Sequence, residues 1–124
     1  MTDDIVNATE GLEIALNHGE EGSTVRLRGR LNIDSSPAFR NLLLIVLQVQ
    51  SPRAVIVDFS DVSYVDSSGI ATLIEGLKMA RQNQTLLCVQ GLQGRLLHLF
   101  EVTGMSTLFE KSGCESALSE SEVS

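Results

Sequence analysis

The chain has 124 residues, 43% of them hydrophobic, and a formal net charge of −7. That length suits one domain, and the apolar content excludes a chain that stays disordered, which needs low hydrophobicity together with high net charge. The longest unbroken apolar run, Leu42 to Leu47, is too short for a membrane-spanning helix of about 20 residues, and Met1-Thr2-Asp3-Asp4 does not open like a signal peptide, so a cytoplasmic protein without direct membrane insertion is expected.

The acids gather at the ends. Residues 1–11 read as an acidic lead and residues 119–124 as an acidic tail that keeps the chain soluble, while the body is nearly neutral. Between Leu12 and Leu16, and again from Thr24 to Leu31, apolar residues alternate with polar ones, the period of a half-buried strand. His18-Gly19-Glu20-Glu21-Gly22 reads as the hairpin loop joining them. Ser36-Pro37 resembles an N-cap followed by proline in the first helical turn, and the helix is expected to run to about Val49, before Ser51-Pro52 ends it. The continuous run Ala54–Val57 suggests a central strand buried on both faces. Ser67 or Ser68 caps a second helix, whose Ile70, Leu73, Ile74 and Leu77 form an apolar stripe. Leu86–Val89 is the next strand, and Leu92–Thr103 a third helix closed by Gly104. Thr107–Glu110 reads as a short edge strand and Ser116–Ser124 as a frayed helix. Strand, helix, strand, helix, strand, helix after an opening hairpin gives the α/β class: a single mixed sheet with parallel βαβ units. The wet arginine face of the second strand (Arg26, Arg28, Arg30) places the helices mainly on the other face.

The two cysteines, Cys88 and Cys114, make no metal-ligand spacing and are too few for a disulfide scaffold, so both are expected as free thiols. No cofactor motif is present: neither G-x-G-x-x-G nor a phosphate-binding G-x-x-x-x-G-K-[ST] occurs. Three arginines without interleaved aromatics make a poor nucleic-acid footprint, so no nucleic-acid partner is expected.

The informative segment runs from Asp58 through Phe59, Ser60, Tyr64 and Val65 to Asp66-Ser67-Ser68-Gly69, directly before the second helix. It resembles the signature of STAS domains, named for sulfate transporters and anti-sigma factor antagonists. The resemblance extends over residues 12–118, with Gly29-Arg30-Leu31-Asn32 resembling the family's second-strand exit and Leu96–Met105 its third-helix pattern. Arg30 and Asn32 depart from the family, standing where antagonists commonly carry acidic residues.

The resemblance implies an anti-sigma factor antagonist acting by partner switching. In that scheme the unphosphorylated chain binds an anti-sigma factor with serine kinase activity. Phosphorylation of Ser67, the first serine of the motif, ends binding, and a protein serine phosphatase restores it. Physically, a serine opening a helix lies near free backbone N–H groups and the positive end of the dipole, which favour an anion. Asp66, Ser68 and Gly69 would support the site, Ser68 as the structural cap and Asp66 either orienting Ser67 or holding the turn. The plainer reading of Asp-Ser-Ser-Gly is capping alone. A competing family role is that of a STAS subunit of a membrane ATP-binding-cassette lipid transporter, bound without a phosphorylation switch.

An enzyme is not expected. A hydrolase elbow needs glycine two residues before the serine, where Val65 stands, and His18 and His98 read as exposed polar residues. On the second helix Thr72, Glu75, Gly76 and Met79 read as the outward, partner-binding side. On the first helix Leu44 and Ile45 fall outside the core-facing arc, which suggests a weak homodimer through that helix.

Overall fold

In the computed structural model, which describes residues 4–20 and 22–114, five strands hydrogen-bond in chain order. They are β1 (Asp4–Thr9), β2 (Leu12–His18), β3 (Ser23–Leu31), β4 (Ala54–Val65) and β5 (Leu86–Gln90). The first three run antiparallel as a meander, while β3, β4 and β5 pair in parallel. Helices α1 (Ser36–Ile45), α2 (Ser67–Gln82), α3 (Gly94–Val102) and α4 (Met105–Lys111) fill the connections and the C-terminal side.

Alternation along the strands explains why one sheet face carries the core. Ile14 on β2, Val25 and Leu27 on β3, Val55, Val57 and Phe59 on β4, and Leu87 and Val89 on β5 are all buried. Phe39 and Leu43 of α1, Leu73 and Leu77 of α2, Phe100 of α3 and Phe109 of α4 join them in the same cluster. Full burial of side chains of this size contributes about 1.5–3 kcal/mol each. The opposite face carries Arg26, Arg28 and their acidic neighbours: Arg26 lies 3.8 Å from Asp58 and Arg28 3.6 Å from Glu13.

Several expectations need correction. β4 is not buried on both faces, because Ile56 and Asp58 alternate onto the side that, among the described residues, no helix covers, and are only half-buried. The strand also continues well beyond Val57, to Val65. Residues Asp4–Thr9, placed by composition in an acidic lead, form the edge strand β1, joined to β2 through Glu10 and Gly11 at φ 49° and 82°, the left-handed pair that a two-residue hairpin turn demands. Thr107–Glu110 is helical, because Met105 and Phe109, one turn apart, both enter the core. Gly104 at φ 81° separates α3 from α4. The residue before the first turn of α1 is Ser35, whose hydroxyl donates to the Arg30 carbonyl and caps no helix N–H, leaving Ser36 one position inside the helix, and the last turn widens into a π-turn over Val46–Gln50.

Cys88 and Cys114 are not free thiols: they are joined in a disulfide with Cα atoms 5.6 Å apart. Spacing of 26 residues in the chain concealed the fact that the segment after α4 returns to β5. The frayed helix expected over Ser116–Ser124, and the acidic tail within it, lie outside the described residues.

Candidate functional site at the start of α2

The end of β4 delivers Asp66 to the cap position of α2. Its backbone is extended, and its N–H donates to the Leu31 carbonyl at 3.1 Å, so the motif is fastened to the exit of β3. The Asp66 carboxylate accepts from the Ser68 N–H at 2.9 Å, the Ser68 hydroxyl at 2.5 Å and the Gly69 N–H at 3.4 Å. These donors, with the Ser68 hydroxyl the strongest and the Ile33 N–H also contributing, hold the Asp66 carboxyl below its ordinary pKa. Of the two roles open to Asp66, the hydrogen bonds place it in the turn as the cap. Neither serine is the cap that the sequence pattern suggested.

Ser68 is committed elsewhere. Besides donating to Asp66, its hydroxyl lies 3.0 Å from that of Ser36 on α1, and its carbonyl accepts from the Thr72 hydroxyl at 2.9 Å. Gly69 is required by space, since a Cβ there would stand 2.9 Å from the Leu31 side chain and 3.0 Å from that of Val65. Ser67, by contrast, is exposed, and no side-chain hydrogen bond is formed by its hydroxyl among the described residues. The four motif residues are therefore brought together with divided labour: Asp66 caps, Ser68 ties α2 to α1, Gly69 permits close packing, and Ser67 faces outward.

The expected partner residues of α2 lie elsewhere than foreseen. Thr72 and Gly76 are buried, because this face of α2 packs on α1. A Cβ on Gly76 would come within 2.7 Å of the Leu43 side chain. Glu75 is fork-bonded to Arg40 of α1 at 2.8 and 2.7 Å, which holds its carboxyl low and raises the Arg40 guanidinium. Met79 is half-buried, its sulfur 3.5 Å from the Gln48 amide. All four sit along the α1–α2 seam. Leu44 is half-buried, whereas Ile45 at the end of α1 and Val49 in the π-turn that follows are exposed.

The open side of α2 faces α3. Ser67 borders a cavity of about 340 Å³ lined by Val65, Ile70, Ala71, Ile74, Leu99 and Thr103. A second cavity of about 550 Å³ shares Val65 and Leu99 with it and extends to Tyr64, His98 and Val102. Together they form a mostly apolar groove, with Val102 64% exposed and Tyr64 45% exposed at its far end. Arg30 lies over the Tyr64 ring, 5.5 Å from its centre. Asn32, the other departure from the family pattern, builds the turn into α1, its side-chain oxygen accepting from the N–H groups of Asp34 and Ser35. Sequence reasoning missed the groove because Ile70 and Ile74 read as core residues; they do pack against the core, but their half-buried side chains also line the groove, and the surplus of apolar side chains on α3, notably Val102, was the available signal.

The family profile described as Mlab, STAS domain matches residues 14–110. The chain belongs to the STAS domain family. An anti-sigma-B factor antagonist of Listeria monocytogenes is 34% identical over 87 residues, covering 70% of this chain and 75% of the relative. Among solved structures, an anti-sigma factor antagonist from Mycobacterium paratuberculosis superimposes with TM-score 0.67 at 20% identity, covering 84% of this chain and 87% of the other. The unphosphorylated form of the antagonist SpoIIAA gives TM-score 0.61 at 16% identity, with 82% and 99% covered. These likenesses agree with the single mixed sheet and one-sided helices of this STAS domain. Among the described residues, no helix is long and apolar enough to cross a membrane.

Proposed function

We propose that this STAS domain is an anti-sigma factor antagonist that works by partner switching at Ser67 and catalyses no reaction itself. Relatives named as antagonists of an anti-sigma factor support the general role. The observation that carries the finer reading is the contrast between the two motif hydroxyls. Ser68 is consumed by Asp66 and Ser36, whereas Ser67 is exposed at the rim of the apolar groove.

In the unphosphorylated state the groove between α2 and α3 receives an anti-sigma factor with serine kinase activity, and Ser67 lies within that contact. A phosphoryl group there adds about −1.5 to −2 charges. Ser67 is exposed at the positive end of the α2 dipole, where an added negative charge is tolerated, so the fold persists. The partner does not: an apolar contact closing over a dianion must strip its water without returning equivalent hydrogen bonds. A protein serine phosphatase resets the surface.

Incubation with source-cell extract and ATP, followed by fragment mass analysis, tests this directly. One phosphate on Ser67, absent in Ser67→Ala, is expected; a phosphate that survives in Ser67→Ala refutes the site. The largely apolar lining of the groove also suits a second reading, a lasting complex with the ATPase of a membrane lipid transporter. Persistence of the isolated complex after Ser67→Asp would favour that alternative.

A further inference from the structure

Cys88 projects from the sheet face opposite the helices, since its register partner on β4 is Ile56 while its neighbours Leu87 and Val89 pair with the core residues Val55 and Val57. Cys114 follows α4, with its N–H bonded to the Phe109 carbonyl at 3.0 Å. The bond between the cysteines therefore reaches round the β5 edge and closes a covalent loop containing all of α3 and α4. Within that loop lie Leu99 and Thr103, which line the groove beside Ser67. The remaining anchors of the loop are apolar: Phe100 meets Phe59 edge-on at 5.8 Å and stacks near Phe109 at 6.5 Å.

We propose that Cys88 and Cys114 are a reversible redox site that clamps the α3 wall of the groove. The chemistry is thiol–disulfide exchange with a small-molecule disulfide. One cysteine thiolate attacks it, forming a mixed disulfide and expelling one thiol. The second cysteine thiolate then displaces the remaining thiol. Two cysteine thiols are thus oxidised to one disulfide while the small disulfide is reduced to two thiols, and each cysteine proton goes to solvent or to a leaving thiolate. Both cysteines are buried at the edge of the core cluster, Cys88 7% and Cys114 2% exposed, so exchange begins when the segment after α4 lifts from β5. The β3–β4–β5 backbone ladders do not depend on the bond, so reduction loosens the loop and leaves the sheet in place. In reducing surroundings the dithiol is the resting state and oxidation engages the clamp.

The whole chain, equilibrated either with dithiothreitol or with glutathione disulfide, supplies the test. Alkylation and intact mass should count two thiols in the first sample and none in the second. Hydrogen exchange across Gly94–Lys111 should be at least tenfold faster in the reduced sample, with exchange in β3 and β4 unchanged. The melting temperature should fall by about 10 °C on reduction. Cys114→Ala, which keeps every residue of β5 in place, should behave as reduced in both buffers. The proposal is overturned by equal exchange of α3 and α4 in the two samples. Two alkylatable thiols persisting in the folded protein under glutathione disulfide, bonds only between chains, or loss of the whole fold on reduction would overturn it equally.

Discussion

On a helical wheel the flank of α2 that carries Thr72, Glu75, Gly76 and Met79 reads as the outward one, and in space it is the closed one. Toward α1 the helix presents a glycine, a threonine and an ion pair, and the surface is closed: Gly76 lets the helices approach until Leu43 fills the gap, and the Arg40–Glu75 fork covers the seam. Toward α3 it presents Ile70, Ala71 and Ile74, and the surface is open. Small and polar residues here mark contact, and isoleucines mark a rim. Polarity alone does not report exposure when two helices cross closely, because the residues that permit the crossing are the least hydrophobic ones.

Substitutions that exchange the two flanks break this comparison most sharply. Gly76→Arg should cost more than about 3 kcal/mol, combining overpacking with a buried charge, and the urea midpoint should fall steeply. Ile74→Glu, at the groove and half-buried against the core, should cost less stability than Gly76→Arg yet weaken binding of the anti-sigma factor proposed as partner at least tenfold by calorimetric titration. Equal stability of the two variants would erase the distinction between seam and groove.

Smaller effects sharpen the contrast inside the motif. Asp66→Ala removes the cap of α2 and should cost about 1–2 kcal/mol. The Asp66 pKa is lowered on folding, so its contribution is fully present above the unfolded value of about 3.9 and is lost as pH falls through the folded one. Urea midpoints of wild type and Asp66→Asn should therefore differ at pH 7 and converge below about pH 4. Ser68→Ala should cost about 1 kcal/mol through two lost hydroxyl contacts, whereas Ser67→Ala should change stability by less than about 0.5 kcal/mol. Arg40→Ala, breaking a half-exposed ion pair, should lower the urea midpoint only slightly.

Much of this architecture was legible because its causes are local. Alternation placed β2 and β3, and the Ser67 helix start followed from the motif. What escaped were features set by distant chain segments. The register of β1 against β2 shifts between Ile5 and Asn7, which breaks the period-two pattern by which a strand is recognised. α4 has only seven residues, too few for a helical stripe to dominate strand-forming Thr107 and Phe109. The disulfide depends on where the chain returns after α4. The placement of Thr72 and Gly76 depends on how closely α1 approaches, and no spacing within α2 encodes that.

The parallel pairing of β3 with β4 has a kinetic consequence. Ser23 lies opposite Val55 and Leu31 opposite Val65, so no part of this central ladder can form until the intervening crossover through α1 has been brought back to the sheet. The hairpins β1–β2 and β2–β3 can close early, but they do not complete a core. Loop closure therefore precedes the contacts that reward it, and the rate-limiting ensemble should contain β3, α1 and β4 together. Truncation of Leu43 in that ensemble should slow refolding, while truncation of Phe109 should mainly hasten unfolding.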